Sequence, residues 1–285
     1  MAVDFILTLT CPDRLGIVAA VSRFLADRKL LIVESHQHQD ESSQSFFMRA
    51  ALRRGEGCEI DLEDLQEQFA PIVSEFDMQA SIHEGTAKPR VLLMVSKFGH
   101  CLYDLLHRWR AGHLPVEIVA VASNHDDMRS FVEWNGLPYH HLPMTKETKA
   151  EQEKALIALV DLLEVDLVVL ARYMQILSDD LCKVLSGRCI NIHHSFLPSF
   201  KGAKPYHQAH ARGVKIIGAT AHYVTCDLDE GPIIEQDVRR VTHARTADEL
   251  VEIGQDVECV VLARAVRWHA EHRILLNGHQ TVVFE

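Results

Sequence analysis

Asn191 and His193 stand two residues apart in the run Cys189-Ile190-Asn191-Ile192-His193-His194-Ser195-Phe196-Leu197-Pro198. The apolar residues that open the run read as a strand. An amide and an imidazole two positions apart on a strand leave the chain on the same side. One is a hydrogen-bond donor and the other titrates near neutral pH. Further along, His222-Tyr223-Val224-Thr225 leads into the acidic turn Cys226-Asp227-Leu228-Asp229-Glu230-Gly231-Pro232. A carboxylate carried by that turn to the Asn–His pair would complete a set able to hydrate a carbonyl. Two donors would face the developing oxyanion, and the carboxylate would hold the imidazole charged and accept a proton from water. Each residue also has an ordinary reading. A lone His is usually a satisfied loop residue, an Asn a turn cap, and the Asp of Asp-x-Gly-Pro a turn former.

A second polar segment, Ala171-Arg172-Tyr173-Met174-Gln175-Ile176-Leu177-Ser178, follows another buried strand, Asp166–Leu170. Ligands of open α/β sheets bind beyond such carboxyl ends. Met174–Leu177 could equally be core or a helix start. The pairs His36/His38, His140/His141 and His193/His194 lack metal-ligand spacing with a carboxylate, so no metal is expected. The acidic run 59–67 reads as a solvated helix face.

The elements around these segments fall into two groups. Residues 3–10 alternate like a strand, and Asp13 can cap a helix carrying Ile17, Val18, Val21, Phe24 and Leu25. Strands near 30–38 and 45–53, a helix with Leu62, Leu65 and Phe69, and a strand near 78–83 complete βαββαβ, the ferredoxin-like split unit. Such a sheet has one face covered by helices and open strand edges, which invite pairing with another copy. Residues 86–90, beside Gly85, read as a linker between a domain 1–85 and a domain 91–285. After it, buried apolar strands alternate with helices: 91–95, helix 100–111, 116–122, helix 126–135, 138–142, helix 146–163, 166–170 and 189–192. That order predicts a doubly wound, mostly parallel sheet, Rossmann-like in class. A helix over 247–270 and short terminal strands close the chain.

Composition narrows the function. A net charge of −11 over 285 residues argues against a broad nucleic-acid surface. Seven widely spaced cysteines without a CxxC read as reduced thiols of a cytoplasmic protein. The first residues carry an early acid and no basic region, unlike a signal peptide. No apolar run approaches the roughly 18 residues of a membrane span.

Asn191-Ile192-His193-His194-Ser195-Phe196-Leu197-Pro198, then Gly202-Ala203-Lys204-Pro205-Tyr206-His207-Gln208-Ala209 and Asp229-x-Gly231-Pro232, resemble the formyltransferase-fold family of folate enzymes. Within it they look most like the formyltetrahydrofolate deformylases. The βαββαβ unit with Asp13-Arg14-x-Gly16 resembles the ACT domain that those enzymes carry. The resemblance implies hydrolysis of 10-formyltetrahydrofolate to tetrahydrofolate and formate without a permanently bound cofactor, supplying formate for purine synthesis. It implies Asn191, His193 and Asp229 as the catalytic triplet. Met174, Gln175, Ile176, Leu177, His222 and Thr225 would contact the folate. Asp13, Arg14 and Gly16 would bind a regulatory amino acid, methionine or glycine, in a homo-oligomer (dimer or tetramer). The transformylases of the family open this domain with a glycine-rich phosphate loop, whereas Ser96-Lys97-Phe98-Gly99-His100-Cys101 stands here. A hydrolase is therefore expected. The alternatives are a transferase passing formyl to an amine acceptor and a ligand-sensing protein without turnover.

Overall fold

The computed structural model describes residues 3–198 and 205–285, so the Gly202–Lys204 part of the family motif lies outside the described residues. The chain divides into two compact units, 1–87 with 272–285, and 88–271.

In the first unit, β1 (Phe5–Pro12), β2 (Leu30–Asp40), β3 (Ser45–Arg54) and β4 (Gln79–Glu84) form an antiparallel sheet in the order β2-β3-β1-β4. Alternation along β1 turns Phe5, Leu7 and Leu9 toward α1 (Ile17–Asp27) and α2 (Leu62–Glu75). There they join Val21, Phe24, Leu25, Leu65 and Phe69 in one buried core. Asp13 does not cap α1. The helix begins after Gly16, whose φ of 101° only glycine adopts easily, and no side chain caps it. Asp13 instead accepts from Gln39 Nε2 at 2.6 Å.

The terminal strands β12 (Ile274–Asn277) and β13 (Gln280–Val283) form a hairpin that clusters with this unit. The second unit therefore ends at 271, not 285. Leu275 and Phe284 bury against Phe47, on the strand that α1 and α2 cover from the opposite side. Arg273 reaches Glu34 at 3.0 Å and Asn277 donates to Asp40 at 2.7 Å.

The second unit holds a seven-stranded sheet in the order β11-β10-β9-β8-β5-β6-β7. Strands β5 (Arg90–Val95), β6 (Glu117–Ser123), β7 (Tyr139–His141), β8 (Leu167–Leu170) and β9 (Cys189–His193) run parallel. β10 (Ile216–Tyr223) and β11 (Ile233–Arg240) run antiparallel at one edge. Helices α3 (His100–Arg110), α4 (Arg129–Trp134), α5 (Lys149–Leu162), α6 (Asp179–Val184), α7 (Pro205–Ala211) and α8 (Ala247–Ala270) flank it. Burial on both faces explains the unbroken apolar runs Val91–Val95 and Leu167–Leu170. α6 and α7, six and seven residues long, carry too little periodicity to be read from the sequence. Ser178 caps α6, accepting from Leu181 N. Among the described residues no helix is long and apolar enough to cross a membrane.

Candidate active site

β8 and β9 lie side by side and end together, which puts 171–178 and 191–198 at one rim. Antiparallel β10 comes back beside β9, with His222 opposite Asn191 and Thr220 opposite His193. A register shift at Ala221/His222 in the pairing with β11 breaks the ladder just before the 224–232 turn. Thr220 Oγ1 donates to Ser195 O at 2.9 Å and accepts from Leu197 N at 3.1 Å. Gln236 Nε2 adds bonds to both Thr220 Oγ1 and Leu197 O, so the loop after His193 is held from below. Asp229 sits in the left-handed region at φ 58°, a conformation Asp tolerates better than most residues.

The three expected catalytic residues meet here. His193 Nδ1 lies 3.2 Å from Asp229 Oδ1. His222 Nε2 lies 3.7 Å from the same oxygen and 3.2 Å from Asn191 Nδ2. His222 Nδ1 donates to the Tyr223 carbonyl at 2.8 Å, which fixes the tautomer. Its Nε2 is then a lone pair that receives the Asn191 amide. His222 is buried, with both nitrogens engaged, and so orients Asn191 beneath the carboxylate. Burial alone would raise the Asp229 pKa, but the bond and charge of His193 hold its carboxyl well below the usual range. It is an anion at neutral pH. His193 Nε2 is buried without a hydrogen-bond partner, facing no protein acceptor or donor. His194 stacks on His193 with ring centroids 5.0 Å apart. Burial first, then the charges of Arg172 and His193, lower its pKa to about 4, so it is neutral.

These groups line a cavity of about 280 Å³. Met174, Gln175, Ile176 and Leu177 form one wall, and Val224 through Asp229, Thr225 included, the other. The wall segment is a loop, tied down by Met174 N donating to Ser96 Oγ at 3.0 Å. Met174, Ile176 and Leu228 expose 51%, 62% and 59% of their surfaces. An apolar rim over a polar floor suits a flat heteroaromatic ring whose reactive end goes in first. Asp13, Arg14 and Gly16 line a separate open concavity in the first unit, where Arg14 pairs with Asp77 at 2.7 Å.

Sequence reasoning passed over Arg172 and Glu258. Glu258, on α8, accepts from Tyr206 Oη at 2.7 Å, meets His100 Nε2 at 2.7 Å and pairs with Arg172 Nε at 3.4 Å. A buried Glu within the α8 pattern was the only available signal. His100, Cys101 and Glu258 also bring potential metal-ligand atoms within 4.8 Å of one another. The guanidinium beside Glu258 already supplies the cation there, and burial pushes the Cys101 thiol pKa well up.

Residues 89–266 match the family described as Formyl transferase, and the chain belongs to that family. Its full length is most informative. It is 53% identical over 281 residues to the formyltetrahydrofolate deformylase of Corynebacterium sp. (strain P-1), covering 99% of this chain and 98% of the relative. The crystal structure of a formyltetrahydrofolate deformylase from Pseudomonas syringae pv. tomato str. DC3000 superposes with a TM-score of 0.96 at 51% identity, covering 99% and 94%. Glycinamide ribonucleotide transformylase 1 from Symbiobacterium toebii gives a TM-score of 0.66 at 29% identity, covering 71% of this chain and 96% of that one. Within the family the chain therefore groups with the deformylases.

Proposed function

We infer that this chain hydrolyses 10-formyltetrahydrofolate to tetrahydrofolate and formate. The observation that supports it most is the Asn191–His193–Asp229 cluster on the floor of an apolar-rimmed cavity, in a chain matching deformylases end to end. The formyl oxygen accepts from the free Nε2–H of protonated His193 and from Asn191. Water attacks the carbon and passes a proton to Asp229. That carboxylate is a weak base while His193 is charged. As the His193 proton moves toward the oxyanion, Asp229 loses its cation and becomes more basic. From Nε2, His193 then protonates the leaving nitrogen, while Asp229 gives its proton up to solvent. Before it departs, formic acid passes its proton to the vacated Nε2 of His193, which leaves formate in the cavity. Met174, Gln175, Ile176, Leu177 and Thr225 hold the pterin, and His222 acts by holding Asn191. The test is incubation with 10-formyltetrahydrofolate and no amine acceptor. Equal formation of tetrahydrofolate and formate is expected, and formyl retention would overturn the reading.

The first unit serves as an ACT-type regulatory domain, with methionine or glycine bound near Asp13, Arg14 and Gly16. The chain assembles as a homo-oligomer in the cytoplasm and delivers formate to purine synthesis. The support for pairing is β2, an edge strand of eleven residues that exposes Leu31, Ile32 and Val33.

A further inference from the structure

In the second unit, the buried side-chain nitrogens without a hydrogen-bond partner, among the described residues, are Nε2 of His193 and Nε and Nη1 of Arg172. Both residues line the same cavity. The reaction accounts for His193. It leaves Arg172 unexplained.

Arg172 follows β8 with a φ of 66°, a left-handed conformation that a long side chain adopts only when its surroundings enforce it. Its carbonyl accepts from Ser96 N at 3.3 Å, at the end of the neighbouring strand β5. The side chain is 10% exposed, with its guanidinium carbon 5.6 Å from the centre of the Phe98 ring. Among the described residues its one ionic neighbour is Glu258, 1% exposed and 3.4 Å away. Glu258 already holds shorter contacts from Tyr206 and His100, at 2.7 Å each. The guanidinium is thus paired at long range with a carboxylate that others occupy, and it keeps unused N–H groups.

Buried donors without partners are rare because they forfeit their hydration. A guanidinium presents its N–H groups as a fork matched to a carboxylate. The reaction proposed above creates a carboxylate inside this cavity. Arg172 is also close enough for its charge to lower the pKa of His194, whose ring lies on His193. We propose that Arg172 is a carboxylate-binding arm of the active site that takes up formate as it leaves the Asn191–His193–Asp229 cluster. The proposal rests on the deformylase reading. The glutamyl tail of the folate carries the same chemistry. A nine-tenths-buried guanidinium on a wall shared with His193 favours the one-carbon acid, because a long tail must run outward to solvent.

The experiment uses the full chain, with Arg172→Lys and Arg172→Met beside it. Arg172→Lys keeps a cation near Glu258 and loses the fork, whereas Arg172→Met loses both. Turnover of 10-formyltetrahydrofolate by the unaltered chain is measured first. Absence of formate release there sinks the deformylase reading itself. Sodium formate is then titrated by calorimetry, and separately as an inhibitor of turnover. The expected result is formate binding to the unaltered chain, weakened about tenfold or more in Arg172→Lys and lost in Arg172→Met. Affinity for tetrahydrofolate should hold in both variants. No formate binding to the unaltered chain, or equal binding in all three, overturns the proposal. A parallel loss of tetrahydrofolate affinity also overturns it. Loss confined to tetrahydrofolate, with tetrahydropteroate unaffected, would assign Arg172 to the glutamyl tail instead. If neither variant folds, crystals of the unaltered chain grown with formate decide the matter. Formate on the Arg172 fork supports the arm, and formate elsewhere or absent overturns it.

Discussion

The two nitrogens of His193 live differently. Nδ1 faces a carboxylate that stays ionised, and Nε2 is buried without a hydrogen-bond partner. In the proposed reaction that nitrogen is the one that meets the substrate. We expect Asn191→Ala, His193→Ala and Asp229→Asn each to fold and to lose on the order of 10²-fold or more in turnover. Steady-state rates with circular dichroism check this, and a near-normal rate in one variant removes that residue from the mechanism. Two other histidines make stability fall on acidification. Burial above all lowers His194 and His269 to about 4. The unfolded chain takes up those protons near the ordinary value of 6.5, the folded chain only near 4. Between those values the unfolded state binds more protons, so stability rises with pH there and is flat, for these groups, outside that window. Each histidine can remove up to about 3 kcal/mol on acidification across the window. His269 accepts from Tyr223 Oη at 2.8 Å, a bond that Gln could retain. Urea titrations of His269→Gln between about pH 7 and about pH 4.5 should show a smaller loss than the unaltered chain. An equal loss would mean that His269 does not contribute.

At the scale of elements, the Asp229 carboxylate depends on one close approach. A Cβ on Gly231 would overlap the Tyr223 carbonyl oxygen and sit 3.3 Å from His222 Nδ1. Only glycine lets the 224–232 turn close with Tyr223 N donating to Pro232 O at 2.9 Å. Gly231→Ala should destabilise by about 1–3 kcal/mol, the usual range for overpacking. It should also reduce turnover at a temperature where the variant is fully folded, because Asp229 rides on the same turn. Unchanged kinetics would show that the turn adjusts without moving the carboxylate. α8 makes a comparable demand. A Cβ on Gly254 would collide with the Tyr206 ring, whose hydroxyl bonds Glu258 one turn further along the helix.

For the whole molecule, the net charge of −11 makes an anionic substrate depend on local cations rather than on the overall field. Regulation belongs to this scale too. If methionine or glycine binds near Asp13–Gly16, turnover of the full chain should change by about 5- to 150-fold on saturation, the span of typical coupling energies. Rates with and without each amino acid, alongside sedimentation to count subunits, test the sensing and pairing claims together. No binding and no rate change would leave the first unit a structural domain, and a monomer would remove the pairing.

Much of this was legible in the sequence for local reasons. Val91–Val95 and Leu167–Leu170 announce buried parallel strands by composition alone, and the period of 247–270 gives a helix with its observed bounds. Asn191 and His193 share a side because strand geometry requires it. Other features depend on pairings that no local pattern carries. Asp13 has a capping residue's chemistry, yet Gln39 from another strand claims its carboxylate. The terminal strands were visible, but their place on Phe47 follows from apolar surfaces far apart in the chain. The register of β9 against β10 alone puts His222 under Asn191. Glu258 meets a histidine 158 positions earlier. Sequence patterns report a residue's neighbours along the chain, and hydrophobic burial selects its neighbours in space. The candidate residues could therefore be proposed from the sequence, while the unpartnered nitrogens of His193 and Arg172 existed only once the chain had folded around them.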